Sequence, residues 1–114
     1  MKILNHLLSI AQNEAIKSDV RRSQMSCLAL NSSQTGVISK SHNAKIHGYE
    51  NKWTLHAEER VLAKYRGRID TLLIYRANGS HKSKPCIRCR RLIEEAGIKR
   101  IIYFDGNKWI MERI

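Results

Sequence analysis

The stretch PCIRCRRLIEEAGIKRIIYFDG, residues 85–106, determines more of the fold than any other part of the sequence. Proline is favoured at the start of a helix and glycine just beyond its end, so Pro85 and Gly97 predict a helix between them. The segment KRIIYF, residues 99–104, is rich in β-branched and aromatic residues and then predicts a strand. The Asp-Gly pair that closes the stretch predicts a tight turn into a further strand. Helix, strand and hairpin in this order indicate an α/β domain.

The chain before this stretch contains five more predicted elements, which follow from the spacing of its apolar residues. Thr54 is the predicted N-cap of the second helix. The strand before the stretch is a continuous apolar run, which predicts a central place in the sheet. Residues 42–53 lack periodicity and predict a loop. The five elements are a helix over residues 3–18, strands over 25–30 and 36–41, a helix over 55–65 and a strand over 71–77.

The predicted order, α-β-β-α-β-α-β-β, gives a mixed sheet of five strands. Only residues 105–107 separate the last two strands, which is too short for a crossover, so the last strand must run antiparallel to its neighbour. At 114 residues the chain has the length of a single domain, residues 1–114. No apolar run approaches the roughly 20 residues of a membrane span, so we expect no membrane partner.

The cysteine content predicts the compartment. Three cysteines, one of them far from a close pair, are a poor disulfide framework and indicate a reducing, cytoplasmic setting. The N-terminal segment resembles an amphipathic helix more than a signal peptide, because polar residues interrupt its apolar run. Cys27 lies in an apolar run and is expected to be a buried strand residue.

The net charge of +11 is large for this length. It implies an anionic partner, such as a nucleotide phosphate or a nucleic acid. Lys82, Lys84 and Arg88 cluster around the cysteine pair, and Arg66 and Arg68 follow the second predicted helix. One phosphate needs only one or two cations, whereas a polynucleotide needs a stripe of cations with aromatic platforms for its bases. Charge alone leaves both classes of partner open.

The cysteine pair, Cys86 and Cys89, falls in the first turn of the third predicted helix, where i,i+3 spacing places both on one face. A helix N-terminus lowers the pKa of a thiol and favours the thiolate. Thiolates suit a metal site and equally a redox pair, so the C-x-x-C pattern leaves both open. A zinc finger would need a second ligand pair at finger spacing, which the sequence lacks.

The tripeptide HAE, residues 56–58, supplies a third ligand. His56 with two cysteines leaves one position of a tetrahedral zinc ion for water or substrate, which is typical of catalytic zinc. Zinc lowers the pKa of a bound water toward ~7, and Glu58 is near enough in sequence to exchange a proton with it. Both ligand groups begin helices that follow loops and precede strands, so we expect the two helix N-termini to meet.

HAE followed by a strand and then PCxxC resembles the signature of the zinc-dependent cytidine deaminase-like superfamily. KPCIRCRRLIEEAGIKRIIYFDG is similar to small CMP/dCMP-type deaminase domains in particular. The resemblance covers essentially the whole chain and implies a three-layer α-β-α fold. It implies Zn²⁺ as cofactor, with His56, Cys86 and Cys89 as ligands and Glu58 as the proton shuttle. The implied reaction is hydrolytic deamination of a cytosine base to uracil.

The resemblance also implies substrate contacts. Asn43 resembles the asparagine that contacts the base or the sugar, and the backbone amides of Ala57 and Cys86 resemble those that hold the base carbonyl and orient the water. From its position in the sequence, Trp53 either stacks on the base or covers the start of the second helix. Arg88, beside the cysteines, is the candidate for a phosphate contact.

The substrate class stays open between several candidates. The antiparallel last strand resembles free cytidine deaminases and several toxin and RNA-editing domains. It departs from tRNA adenosine deaminases, antiviral polynucleotide deaminases and large dCMP deaminases. Free-nucleoside enzymes usually carry cysteine in place of His56. We favour a cytosine nucleotide or nucleoside. The alternatives are a polynucleotide cytosine deaminase acting on single-stranded DNA or RNA, and a non-catalytic zinc-stabilised binding subunit. Glu58 argues against the last, because a structural zinc needs no proton shuttle. We also expect a homo-oligomer, since such small domains usually bury one face by association.

Overall fold

The structure is a computed structural model that describes residues 2–45, 54–65, 67 and 69–114. These residues form three helices and seven strands. None of these helices is long and apolar enough to cross a membrane. In chain order the elements are α1 (Asn5–Ala15), β1 (Met25–Leu30), β2 (Val37–His42), β3 (Ala44–Lys45), β4 (Thr54–Leu55), α2 (Ala57–Lys64), β5 (Thr71–Arg76), α3 (Ile87–Glu95), β6 (Arg100–Phe104) and β7 (Trp109–Arg113).

Five of the strands form the main sheet, in the order β2-β1-β5-β6-β7. β5 and β6 run parallel and are joined through α3, and the other neighbours run antiparallel. β5 therefore lies at the centre, as its apolar run predicted. The antiparallel direction of the last strand is also confirmed. Gly106, in the turn between β6 and β7, has φ +105°, in the left-handed region that glycine tolerates best.

Successive strand residues point to opposite faces of the sheet, and each face carries its own apolar core. α1 covers one face, whereas α2 and α3 lie side by side on the other. This confirms the three-layer arrangement and brings the two helices of the predicted site onto the same face. The core under α1 contains Ile3, Leu7, Ala11, Leu28, Leu30, Leu73 and Ile102. The core under α2 and α3 contains Cys27, Ala29, Ala57, Val61, Leu72, Ile74, Ile93 and Ile101.

The starts of α2 and α3 differ from the prediction by a few residues. Thr54 is not the N-cap of α2, because it pairs with Lys45 in the short two-stranded sheet of β3 and β4, and His56 takes the N-cap position instead. Pro85 lies just before α3, whose N-cap is Cys86. In both helices, the residue at the N-cap is therefore a predicted metal ligand.

Two other predicted boundaries can be compared with the structure. Gly97 follows the C-cap of α3 with φ +77°, which confirms it as the end of that helix. α1 spans fewer residues than the predicted 3–18, because the chain leaves the helix at Ile16 and turns toward β1. The predicted loop over 42–53 begins with the end of β2 and contains β3, and its residues 46–53 lie outside the described residues.

Side chains of α2 bond to the backbone of β2, which forms one edge of the main sheet. Arg60 Nη1 donates to the carbonyl of His42 at 2.6 Å, and Lys64 Nζ donates to the carbonyl of Lys40 at 3.1 Å. Carbonyls two residues apart in a strand point to the same side. At the opposite edge, β7 is paired with β6 alone in the described part of the chain.

Candidate metal centre

The predicted metal ligands lie where α2 and α3 begin. His56 is the N-cap of α2, Cys86 is the N-cap of α3, and Cys89 stands in the first turn of α3. Local hydrogen bonds fix both N-caps. The His56 N–H donates to Glu59 Oε1 at 3.1 Å, and Cys86 Sγ accepts the Cys89 N–H at 3.5 Å. The predicted meeting of two helix N-termini is confirmed.

The three side chains converge on one point. His56 Nδ1 lies 3.1 Å from Cys89 Sγ and 3.8 Å from Cys86 Sγ, and all the ligand atoms lie within 4.8 Å of one another. Tetrahedral zinc, with bonds of about 2.0–2.3 Å, separates its donor atoms by about 3.3–3.8 Å. Two sulfurs and an imidazole nitrogen within 4.8 Å of one another need only small shifts to reach this spacing and hold a zinc ion. No other cluster of three or more His, Cys, Asp or Glu side chains is found among the described residues.

Glu58 is a buried acid beside these ligands, with an exposed fraction of 3%. Burial raises the pKa of its carboxyl, while its own backbone amide, then His56 and the Cys89 thiol, act in the lowering direction without reversing the shift. A carboxyl in such surroundings holds a proton more readily than an exposed one does. This is the property that a group exchanging protons with a substrate requires.

The thiols near Glu58 are shifted in the same direction. Burial raises the pKa of Cys89, and the carboxylate of Glu58 raises it further, which opposes the predicted effect of the helix N-terminus. Cys27 is fully buried, as predicted, and burial followed by Glu58 and Cys89 raises its pKa as well. Its place beside the site was not predicted, because it depends on how β1 lies under α2. A cation among these groups would stabilise their charged forms.

Asn43 is buried and its side chain is bonded to the backbone at the start of β1. Oδ1 accepts the N–H of Met25 at 2.9 Å, and Nδ2 donates to the carbonyl of Ser23 at 2.6 Å. The Asn43 N–H donates to the carbonyl of Met25 at 3.1 Å. Asn43 therefore joins the end of β2 to the chain that enters β1, a structural role that the sequence did not suggest.

Replacing Asn43 by alanine should lower the free energy of unfolding by about 1–3 kcal/mol, because the N–H of Met25 and the carbonyl of Ser23 lose their partner in a buried place. Urea unfolding followed by circular dichroism measures the change. Asn78→Ala is the matched control, since Asn78 bonds Gln24 N and Arg21 O in the same way at a more exposed position. Equal losses for both variants would contradict the importance of burial at Asn43.

The other predicted contacts are distributed around the centre. Ala57 is buried and is the first residue of α2. Arg88, the candidate for the phosphate contact, already has an acidic partner, because its Nη2 lies 2.8 Å from Glu59 Oε1 and the two form an ion pair. Lys84 Nζ lies 5.9 Å from the centre of the Tyr103 ring. The remaining predicted residues, Trp53, Arg66 and Arg68, lie outside the described residues.

The chain matches the family model described as the cytidine and deoxycytidylate deaminase zinc-binding region over residues 1–105. No curated protein sequence matches it. Among solved structures, it is similar to a dCMP deaminase from the cyanophage S-TIM5, with 20% identity and a TM-score of 0.63 over 87% of this chain and 82% of that one.

Two cytidine deaminases are similar as well. The enzyme from Mycobacterium leprae has 18% identity and a TM-score of 0.66, covering 95% of this chain and 93% of its own. The enzyme from Burkholderia pseudomallei has 16% identity and a TM-score of 0.71, covering 97% and 93%. These structural matches establish a shared fold. Because the family model spans all but the last nine of the 114 residues and includes all three converging ligands, the chain belongs to the cytidine and deoxycytidylate deaminase zinc-binding family.

Proposed function

We propose that the protein is a zinc-dependent hydrolytic deaminase that converts the cytosine base of a nucleotide of the CMP or dCMP type, or of a nucleoside, to uracil. The observation that carries this proposal is the convergence of His56, Cys86 and Cys89 with the buried carboxyl of Glu58 beside them. Three ligands suit a metal that must also admit water or substrate, and a buried acid suits proton exchange.

His56 Nδ1 and the sulfurs of Cys86 and Cys89 would hold the zinc ion. When bound, zinc supplies Lewis-acid activation of water. The shared placement of both ligand groups at helix N-termini fixes the donor atoms before any metal arrives. Cys89 is buried and Cys86 is exposed, so the ligands lie at the boundary between core and solvent, where a substrate can approach.

Glu58 carries the protons in the proposed reaction. Its carboxylate accepts a proton from the water that adds to C4 of cytosine, and the resulting carboxylic acid donates protons to the base, so that the amino group leaves as ammonia. Cytosine and water thereby become uracil and ammonia. The raised pKa of Glu58 suits this alternation, because its buried carboxyl holds a proton more readily than an exposed one does.

Five further groups are proposed to position the substrate. The backbone amides of Ala57 and Cys86 lie at the two helix starts and are proposed to hold the base carbonyl and orient the water. Asn43 and Trp53 are the proposed contacts to the sugar and the base, and Asn43 would use the oxygen lone pair and the amide hydrogen that its bonds to Met25 and Ser23 leave free. Arg88 is the proposed phosphate contact. Its ion pair with Glu59 uses one Nη2 donor and fixes the guanidinium, whose other donors remain for a phosphate.

A free nucleotide or nucleoside is the favoured substrate for two reasons. Structures of similar fold include cytidine deaminases and a dCMP deaminase. The antiparallel β7 also matches the strand direction expected for free cytidine deaminases. Self-association stays a prediction alongside this proposal.

The proposal is tested by incubating the purified protein with dCMP, CMP, cytidine, deoxycytidine and a cytosine-containing single-stranded oligonucleotide, and detecting the one-dalton mass increase of deamination. We expect turnover of a free nucleotide or nucleoside, with kcat/KM falling only modestly between low and physiological salt. A polynucleotide bound through Z phosphates would show a slope of about −0.7Z in log affinity against log salt.

Arg88→Gln provides the matched comparison within this assay. If Arg88 contacts a phosphate, the variant should raise KM for the nucleotide by about tenfold and leave the nucleoside nearly unchanged, since a hydrogen bond to a charged group is worth ~1.5–3 kcal/mol. Turnover of oligonucleotides with none of any free nucleotide or nucleoside would overturn the favoured substrate class.

A further inference from the structure

A cleft away from the metal centre lies on the α1 side of the main sheet, opposite the face that carries α2 and α3. We name it the aromatic cleft. It has a volume of about 350 Å³ and opens over the carboxyl ends of β5 and β6 and the start of β7. Its lining includes Gln12, Tyr75, Arg76, His81, Phe104 and Trp109. The proposed reaction uses none of these residues.

Three aromatic rings form one wall of the cleft. The rings of Tyr75 and Trp109 are nearly parallel, with centroids 6.4 Å apart and planes at 16°. Phe104 meets Trp109 edge-on, with centroids 5.6 Å apart and planes at 61°. All three side chains are half-exposed, whereas Leu73 and Ile102 on the same face are buried. The rings therefore extend the core to the surface and remain partly exposed in the cleft, where a flat ligand can pack against them.

A guanidinium group stands beside the rings. Arg76 Nη2 donates to the carbonyl of Arg22 at 3.0 Å, and Gly79, with φ +64°, packs so close that a Cβ there would lie 2.9 Å from Nη2. These contacts hold the guanidinium in place. Arg76 Nε is buried and has no hydrogen-bond partner, the only such side-chain atom among the described residues. The Arg76 side chain as a whole is partly exposed and lines the cleft, so the guanidinium donors that the Arg22 carbonyl does not use can bind an anion.

The loop that follows β5 contributes further positive charge. His81 has φ +61°, an uncommon conformation for a residue other than glycine, and its Nδ1 donates to the carbonyl of Arg76 at 3.1 Å. With Nδ1 donating, Nε2 of a neutral ring is an acceptor at the cleft, which suits an N–H donor of a base. Lys82 follows and lies against Gly106 in the turn between β6 and β7. No acidic side chain lines the cleft in the described part of the chain, so its charge favours an anion.

The same loop joins the aromatic cleft to the metal centre. The Ser83 hydroxyl donates to the carbonyl of Ile74 at 2.7 Å, and the Ser83 N–H donates to the carbonyl of Phe104 at 2.9 Å, which fixes the loop between β5 and β6. His81 and Cys86 are five residues apart, so their Cα atoms lie within about 18 Å. A chain of a few nucleotides can therefore contact both places.

We propose that the aromatic cleft binds a single-stranded nucleic acid, with one base stacked on the rings of Tyr75 and Trp109 and an adjoining phosphate on Arg76. Proteins commonly bind single-stranded nucleic acids through an aromatic wall with flanking cations. The net charge of +11 supports such a partner. This inference goes beyond the proposed function and does not depend on it, because binding here requires neither metal nor deamination.

The test measures binding of a fluorescein-labelled 12-nucleotide oligothymidylate by fluorescence anisotropy at low salt. This probe contains no cytosine, so it separates binding at the cleft from the proposed reaction. Trp109→Ala should weaken binding by about tenfold or more, because base stacking contributes strongly in such sites. Gln12→Glu should weaken binding as well by placing a carboxylate at the rim, and Asn13→Glu is its matched control with the same charge change one residue away. Both positions are exposed on α1, so neither variant disturbs the core.

Support requires that Trp109→Ala and Gln12→Glu weaken binding and that Asn13→Glu binds like the parent, whether or not the protein deaminates any nucleotide. Oligothymidylate binding that is equal in Gln12→Glu and Asn13→Glu would overturn the proposal, even if Trp109→Ala fails to fold. Thymidine monophosphate that binds as tightly as the oligonucleotide would also overturn it, in favour of a site for a single nucleotide.

Discussion

Glu58→Gln should retain the fold and the metal yet lose turnover by about 10²–10⁴-fold, the usual contribution of a general acid–base group. Glutamine keeps the size of the side chain and most of its hydrogen bonding, but it cannot carry a proton. Burial of Glu58 should make the loss of turnover larger, because bulk water has little access to the site and cannot take over the proton transfers of the carboxyl. Initial rates on the best substrate of the nucleotide panel measure the loss, and circular dichroism with metal analysis verifies the structure.

Glu95→Gln is the matched control for this variant. It makes the same chemical change at an exposed position, the last residue of α3, and should deaminate at the parental rate. A Glu58→Gln protein as active as the parent would show that the proposed proton transfers are wrong, whereas a variant that loses zinc would assign Glu58 a structural role instead.

Cys89→Ser should abolish zinc binding and reduce turnover by at least about 10³-fold, since Lewis-acid activation contributes several kcal/mol. Cys89 is the buried ligand, and its sulfur lies 3.1 Å from His56 Nδ1. Its replacement therefore removes the metal-ligand atom that burial holds in place. We expect the parent, purified under reducing conditions, to contain close to one zinc per chain by elemental analysis. The melting temperature of the parent should fall on chelation, because a metal that binds the folded state stabilises it.

Cys27→Ala controls for the loss of a buried thiol. Cys27 is also fully buried and close to Cys89, but it lies in β1 and does not belong to the converging ligands. The variant should keep its zinc. A parent protein without zinc, or an active protein in which Cys86 and Cys89 form a disulfide, would exclude the zinc site.

The elements predicted from the sequence were those with a strong local signal. β5 was placed at the centre of the sheet because its residues are apolar without interruption, and the β6–β7 hairpin was predicted because an Asp-Gly turn leaves no room for a crossover. The ligand set could be identified for a similar reason. HAE and PCxxC each occupy a few consecutive residues, and the elements between them determine that they meet.

Features that depend on contacts between distant segments were missed. β3 and β4 have two residues each, which is too short for any periodicity, so Thr54 was assigned to a helix cap. The ion pair of Arg88 and Glu59 joins the first turns of two helices and requires their relative placement. The aromatic cleft gathers residues from α1, β5, β6 and β7, and only the strand register places them side by side.

The bonds from Arg60 and Lys64 to β2 give the main sheet two unlike edges. An exposed edge is a template on which another chain can add a strand. Donors of α2 already occupy two carbonyls of β2, whereas β7 has only β6 as a neighbour among the described strands. If β7 paired with β7 of a second copy, this edge of each molecule would be used up. Growth by strand addition would then close at a symmetric dimer and could not continue into a fibre.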